Sequence, residues 1–317
     1  MTTSTGPAAG VHLPWAAVPA AVRSWANRVG GGGAPATARD LPGGFSPGAT
    51  AVLDCPRGAI FVKAVGAGLN PESPELHRRE AVVSASLPAS PQFPRLLDVY
   101  DDGDWVALAF VAIDGRPPVH PWDLRELRIA VRGLHELHEA LTPNPVAGVE
   151  PAAEKLQSLF GGWAELEAMV QPPAGLDEWS GRNLSRLAEL ESEWPGALAG
   201  STLLHCDVRS DNLLVTGAGV VFVDWPHACV GAPVFDLVAW APSVELEGGP
   251  APEELLALWA SGSAIDHDAV APLVAAFGGF LVRHSLRPPP PGLPTLRAFQ
   301  AAQGAVALAW LRRLKGW

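Results

Sequence analysis

The chain reads as an α+β protein of two lobes: a β-rich first lobe, and a mainly helical second lobe carrying an inserted hairpin. Three observations predict this. Its 317 residues exceed one minimal core, and its 48% apolar content is ample for a packed interior. Strand-like patterns crowd residues 40–113, whereas helical spacing dominates from Trp122 onward. The helical part is interrupted once, between Thr202 and Trp225, by short apolar runs that enclose a polar loop. The division expected is residues 1–113 and 114–317, with "IDGRPPVHP" (113–121) as the connector. Segregated lobes of this kind place a site in the cleft between them.

The elements follow in order. Val18, Val22, Trp25 and Val29 fall at helical spacing, and "GGGGAPA" (30–36) ends that helix. From Asp40 to Val65 the pattern is strand, turn, strand, turn, strand, with Pro56, Arg57 and Gly58 in the second turn. A helix then begins near Ser73, a plausible N-cap, with Pro74 in its first turn. Residues 95–113 give two more strands joined at Asp101–Gly103. Helices are expected over 122–140, 152–170, 177–193, 253–260, 268–282 and 294–315. "NLLV" (212–215) and "VVFVDW" (220–225), joined by "TGAG", form the hairpin.

Composition narrows the function. A net charge of −11 argues against nucleic acid as a partner, because phosphate contacts need basic clusters. No apolar run approaches the ~18 residues of a membrane span, and the N-terminus lacks a secretory pattern. Cys55, Cys206 and Cys229 cannot build a disulfide framework, so a reducing, cytoplasmic location is expected. Of 22 basic residues only Lys63, Lys155 and Lys315 are lysines. A coding bias toward arginine accounts for the count, and it makes each lysine a candidate for a position where a compact point charge suits better than a guanidinium. No G-x-x-x-x-G-K-[ST] is present, which excludes a phosphate-binding P-loop, and the Gly-rich stretches lack the last glycine of a dinucleotide fingerprint. His205, Cys206, His227 and Cys229 make a poor zinc set, since adjacent His205 and Cys206 point apart and no Cys-x-x-Cys occurs. The histidines of "LHELHEA" (134–140) read as helix-surface residues.

The chemistry concentrates in "HCDVRSDNLLV" (205–215). The hairpin brings Asn212 at the start of one strand beside Asp224 at the end of the other, with Asp207 in the loop before. Oxygen ligands of this kind suit Mg²⁺, and a carboxylate left over can orient a hydroxyl and accept its proton. In the first lobe, Lys63 lies on the third strand, and Glu80 shares a helix face with Leu76, Val83 and Leu87. A carboxylate on an apolar stripe needs a partner, and Lys63 is the obvious one. The turn "LPGGFSPGA" (41–49), with Gly44, Ser46 and Gly48, lets backbone amides approach phosphates.

The spacing H-x-D-x-x-x-x-N, followed by an aspartate about a dozen residues on, resembles the catalytic pattern of kinase-like phosphotransferases. With "VDWPHACVGAPVFDLV" behind it, the segment is similar to the aminoglycoside phosphotransferase family and its small-molecule kinase relatives. It is unlike protein kinases, because "DWP" replaces Asp-Phe-Gly and no Ala-Pro-Glu segment occurs. The resemblance implies a two-lobed, protein-kinase-like fold and transfer of the γ-phosphoryl group of ATP (or GTP) to a hydroxyl of a small molecule. It implies Asp207 as catalytic base, Asn212 and Asp224 as Mg²⁺ ligands, His205 as a loop brace, and Asp236 as the support of the catalytic loop. Lys63 would hold the nucleotide phosphates, Glu80 would position Lys63, and Ala112 would meet adenine in the hinge. Cys206 stands where the family usually has glycine; if that position needs positive φ, the loop is strained or shifted. The other reading on the same fold is a catalytically silent nucleotide- or metabolite-binding protein. Between Ser210 and Val282 there is no lysine or arginine, but there are nine carboxylates, which predicts a cationic acceptor. Monomer and homodimer are equally open.

Overall fold

The computed structural model describes residues 12–41, 47–171, 173–260, 267–290 and 293–317. The chain forms two compact units. The first comprises Met1–Arg116, Leu214–His227 and Pro290–Pro294; the second comprises Pro117–Leu213, Ala228–Pro289 and Thr295–Trp317.

The first unit is built on an antiparallel sheet of order β1-β2-β3-β5-β4. Its strands are β1 (Thr37–Asp40), β2 (Ala49–Cys55), β3 (Gly58–Gly66), β4 (Leu96–Asp101) and β5 (Trp105–Val111). Residues alternate between the two faces of a strand, and β3 obeys this. Ile60, Val62 and Ala64 pack against Val22, Trp25 and Ala26 of helix α1 (Ala20–Val29). Lys63 therefore points to the opposite face, where helix α2 (Ser73–Ser86) lies with Glu80 and Val83 buried. The first helix starts at Ala20 rather than Val18. Val18 and Pro19 are extended, and Gly31, Gly32 and Gly33 end the helix region with φ of +109°, +85° and +84°.

The second unit holds helices α3 (Leu124–Ala140), α4 (Ala152–Lys155), α5 (Gly162–Glu167), α6 (Glu178–Arg182), α7 (Leu184–Glu191) and α8 (Trp194–Ala197). After them come α9 (Val234–Leu246), α10 (Pro252–Trp259), α11 (His267–Ser285) and α12 (Leu296–Lys315). Asp123 caps α3 by accepting the backbone N–H groups of Arg125 and Glu126. Leu127, Ala130, Val131, Leu134 and Leu137 form its buried face. Trp163, Trp240 and Trp310 are fully buried and fill the helical core.

Two long helices expected from periodicity are broken. The span 152–170 is α4 and α5 separated by a turn, where Gly161 sits at φ +98°, a conformation that favours glycine. The span 177–193 is α6 and α7, joined at Asn183. A short ribbon, β6 (Thr202–Leu204) with β9 (Cys229–Gly231), was not expected from the sequence pattern. Strands β7 (Leu213–Thr216) and β8 (Gly219–Phe222) form the expected hairpin. Within the first unit, the Val215 N–H donates to Arg116 O at 2.7 Å and the Phe222 N–H to Gln92 O at 2.7 Å. Beyond β8, Trp225 packs edge-on against Phe93. Among the described residues no helix is long and apolar enough to cross a membrane.

Candidate active site

Two clusters carry the chemistry, one in each unit. In the first unit Lys63 is nearly buried, with 9% of its surface exposed. Strand alternation turns it toward α2, where it ion-pairs with Glu80. Its Nζ also donates to Asp224 Oδ1 at 2.6 Å. Asp224 lies two residues beyond β8 in a left-handed backbone, φ +71°, that is costly for a non-glycine residue. Burial works against the Lys63 charge, but the Asp224 and Glu80 carboxylates outweigh it and hold the ammonium above the ordinary lysine range. Burial likewise raises the Asp224 carboxyl, yet Lys63 more than offsets this and keeps it below the usual carboxylate range. Glu80 is pushed up to about 7, chiefly by burial, even with the ammonium beside it. His77, one turn before Glu80, is pushed down to about 3 by burial and by the Lys63 charge, so it stays neutral at physiological pH.

Two carboxylates therefore share one ammonium, and the fully ionised trio carries one net negative charge. Lys63 and Glu80 are buried, whereas Asp224 keeps 32% of its side chain exposed.

In the second unit, the polar loop 205–212 hangs from Asp236 on α9. Asp236 has no exposed surface. It accepts the His205 backbone N–H at 3.0 Å, the Cys206 backbone N–H at 2.7 Å, and pairs with His138 Nε2 at 2.9 Å. Burial tends to raise its carboxyl, but His138 and the backbone bonds hold it below the ordinary range. His205 Nδ1 in turn accepts the Asp207 N–H at 3.3 Å. Asn212 Nδ2 donates to Asp207 O at 2.9 Å and to Asp207 Oδ2 at 3.0 Å. Both amide hydrogens are thus used on Asp207. Asp207 keeps 27% of its side chain exposed and lies 3.6 Å from Arg209 Nη1, whose guanidinium mainly pairs with Asp211. An accessible carboxylate held on a rigid backbone is suited to accept a proton from a bound hydroxyl.

His138 is a correction to the surface assignment of 134–140: it is 3% exposed and bonded to Asp236. Its place four residues after Leu134, on the apolar stripe of α3, was the signal that could have found it. Cys206 occupies φ +61°, so this position does require positive φ and the residue that stands there is not glycine.

Gly44 and Ser46 lie outside the described residues. Gly48 has φ +137°, and a Cβ there would come within 2.5 Å of Ala64 O, so the turn requires glycine. The Ala112 N–H donates to Ala59 O at 3.2 Å. Ala112 also borders a cavity of about 740 Å³ flanked by Arg28, Arg57 and Arg95. That cavity includes Ile60 and the end of α1, so it opens on the sheet face away from Lys63.

The pattern of these two clusters can be set beside known proteins. The family model described as the phosphotransferase enzyme family matches residues 37–273. The chain belongs to this family. Among curated protein sequences nothing matches it. Solved structures share the kinase-like fold. A thermostable mutant of an aminoglycoside phosphotransferase, in a ternary complex with ADP and hygromycin B, aligns with a TM-score of 0.58 at 12% identity, covering 93% of this chain and 97% of that one. Choline kinase LicA from Streptococcus pneumoniae aligns with a TM-score of 0.60 at 12% identity, covering 94% and 98%. A spectinomycin phosphotransferase in complex with ADP and spectinomycin aligns with a TM-score of 0.57 at 12% identity, covering 87% and 93%. At these identities the likeness is one of fold. In this phosphotransferase, β3, α2 and the segment after β8 assemble the Lys63 cluster, while α3 and α9 hold the loop of Asp207.

Proposed function

We propose that this phosphotransferase moves the γ-phosphoryl group of ATP (or GTP) to a hydroxyl of a small, amine-bearing molecule. The observation that carries the reading is the Lys63–Glu80–Asp224 cluster, in which a buried strand lysine is held charged by two carboxylates. Structural likeness to enzymes crystallised with ADP supports a nucleotide donor.

In this reading Lys63 binds the donor's phosphates, and Glu80 fixes the ammonium against rotation. Gly48 opens backbone space for phosphate oxygens, Gly44 and Ser46 are assigned to the same donor site, and the Ala112 carbonyl receives the exocyclic amine of adenine. Asp207 orients the acceptor hydroxyl and takes its proton as the acceptor oxygen attacks the γ-phosphorus. The bond from phosphorus to the bridging oxygen breaks, and the nucleoside diphosphate leaves. His205 and Asp236 are positioning residues that hold the loop. Asn212 and Asp224 are the residues that would hold magnesium; an amide oxygen and a carboxylate held below its usual range suit a hard divalent cation. When bound, the ion neutralises charge on the donor's phosphates. Among the carboxylates of 210–282, Glu247 is best placed to receive an amine. It is half-buried and accepts the Ser210 hydroxyl at 2.7 Å and the Trp122 indole N–H at 2.9 Å.

Calorimetric titration of ATP with and without Mg²⁺ tests the donor site. Wild type should bind ATP at least about tenfold more tightly with Mg²⁺. Asp224→Ala should lose that difference. Binding that ignores the metal in wild type would overturn the assignment of Asp224 and Asn212.

A further inference from the structure

The phosphotransferase reading gives Cys206 no task, although it sits between His205 and Asp207 in a backbone conformation that glycine adopts more cheaply. Its side chain faces Cys229. The two Sγ atoms are 2.8 Å apart, closer than unbonded sulfur atoms ordinarily rest, and both thiols are free. The pairing of β6 with β9 produces this approach. Leu204 is in register with Cys229, and Cys206 lies two residues beyond the end of β6 at φ +61°. Cys229 is fully buried, whereas Cys206 keeps partial exposure, so a small oxidant reaches Cys206 first. The third cysteine, Cys55, is in β2 of the other unit.

We propose that Cys206 and Cys229 are a modification site: a reversible intramolecular disulfide formed by a peroxide, which pins the loop carrying Asp207 to β9. The Cys206 thiolate attacks one peroxide oxygen, the O–O bond breaks, and the leaving hydroxide becomes water. The Cys206 sulfenic acid that results is attacked by the Cys229 sulfur. An S–S bond forms, the S–O bond breaks, and the hydroxyl leaves as water with the Cys229 proton. Two thiols are oxidised and one peroxide is reduced to two waters. A disulfide needs the sulfurs at about 2.05 Å, so closure asks for a contraction of less than one ångström from the reduced geometry. Burial and the neighbouring thiol hold the Cys206 thiol well above its ordinary range, so oxidation is slow near neutrality and faster in mild alkali.

Peptide mapping of the full chain after exposure to hydrogen peroxide at about pH 8 decides the matter. The expected product is a Cys206–Cys229 cross-linked peptide, an intact mass lower by two hydrogens, and a single remaining thiol in denaturant, all reversed by dithiothreitol. Cys55→Ser should still form the bridge, and Cys229→Ser should not. The bridged protein should also melt at a higher temperature than the reduced one. Three thiols persisting in wild type would overturn the proposal, as would Cys206 found as sulfinic acid without a bridge, or a bridge to Cys55 or between molecules. None of these readouts depends on phosphoryl transfer.

Discussion

Asp236 holds the loop that Asp207 only occupies. Its carboxylate accepts two consecutive backbone N–H groups and an imidazole N–H, with no water-exposed surface to replace any of them. Asp236→Ala leaves three buried donors without an acceptor, and each such donor costs about 1–3 kcal/mol. The substitution should therefore lower unfolding stability by about 3–5 kcal/mol in urea denaturation. A loss below about 1 kcal/mol would show that the loop does not hang from Asp236. Asp224 shows a different economy: its left-handed backbone is tolerated because Lys63 anchors the side chain. The sequence made the Lys63–Glu80 partnership legible, because a carboxylate on an apolar stripe needs a cation and few lysines exist. His138 was less legible. An isolated histidine among Leu134, Leu137 and Leu141 reads as surface unless its helix face is counted, and its partner lies 98 positions further along the chain.

At the level of elements, β2, which alternates, and β3 and β5, whose apolar runs are buried on both faces, emerge where the pattern puts them. Three-residue strands are another matter. β6 and β9 are too short to show a period, and they exist through pairing between residues 25 or more positions apart. The helices of 152–170 were misjudged for a local reason, since Gly161 and Gly162 interrupt a periodic apolar stripe. That interruption is repaired by Glu191 of α7. Its Oε2 accepts the Trp163 N–H at 2.9 Å and the Ala164 N–H at 3.2 Å, capping the start of α5. Burial pushes the Glu191 carboxyl up to about 7, against 4.5 for the unperturbed group, in spite of these bonds. A raised pKa in the folded state means that the protonated form is favoured by folding. Its contribution is present below about pH 4.5 and lost as pH rises to about 7. Wild type should therefore lose up to about 3 kcal/mol relative to Glu191→Gln across that window. Parallel stability curves for the two proteins would mean that Glu191 does not change protonation with folding.

For the whole molecule, the charge pattern is weaker evidence than the residue count promised. Of the carboxylates between Ser210 and Val282, Glu253 pairs with Arg313, Asp268 with Lys315, Asp211 with Arg209, Asp224 with Lys63 and Asp236 with His138. Internal partners thus consume most of the apparent field, and Asp266 lies outside the described residues. Beside the loop of Asp207, Glu247 has among the described residues only a histidine as its ionic partner, His120 Nδ1 at 3.6 Å, besides the Ser210 hydroxyl and the Trp122 indole. Replacing it by Gln should raise the KM of a cationic acceptor about tenfold while leaving that of ATP unchanged, because one charged hydrogen bond is worth about 1.5–3 kcal/mol. An unchanged acceptor KM would remove Glu247 from recognition. The central claim, phosphoryl transfer with Asp207 as base, is tested most directly by ADP release and phosphorus-31 NMR. Wild type and Asp207→Asn are each given Mg·ATP and a panel of aminoglycosides and small amino alcohols. Wild type should form ADP and one phosphate ester with a member of the panel, and Asp207→Asn should bind ATP normally but turn over about 10²–10⁴-fold more slowly. Equal turnover in the two proteins, or ATP binding without any ester formed, would contradict it.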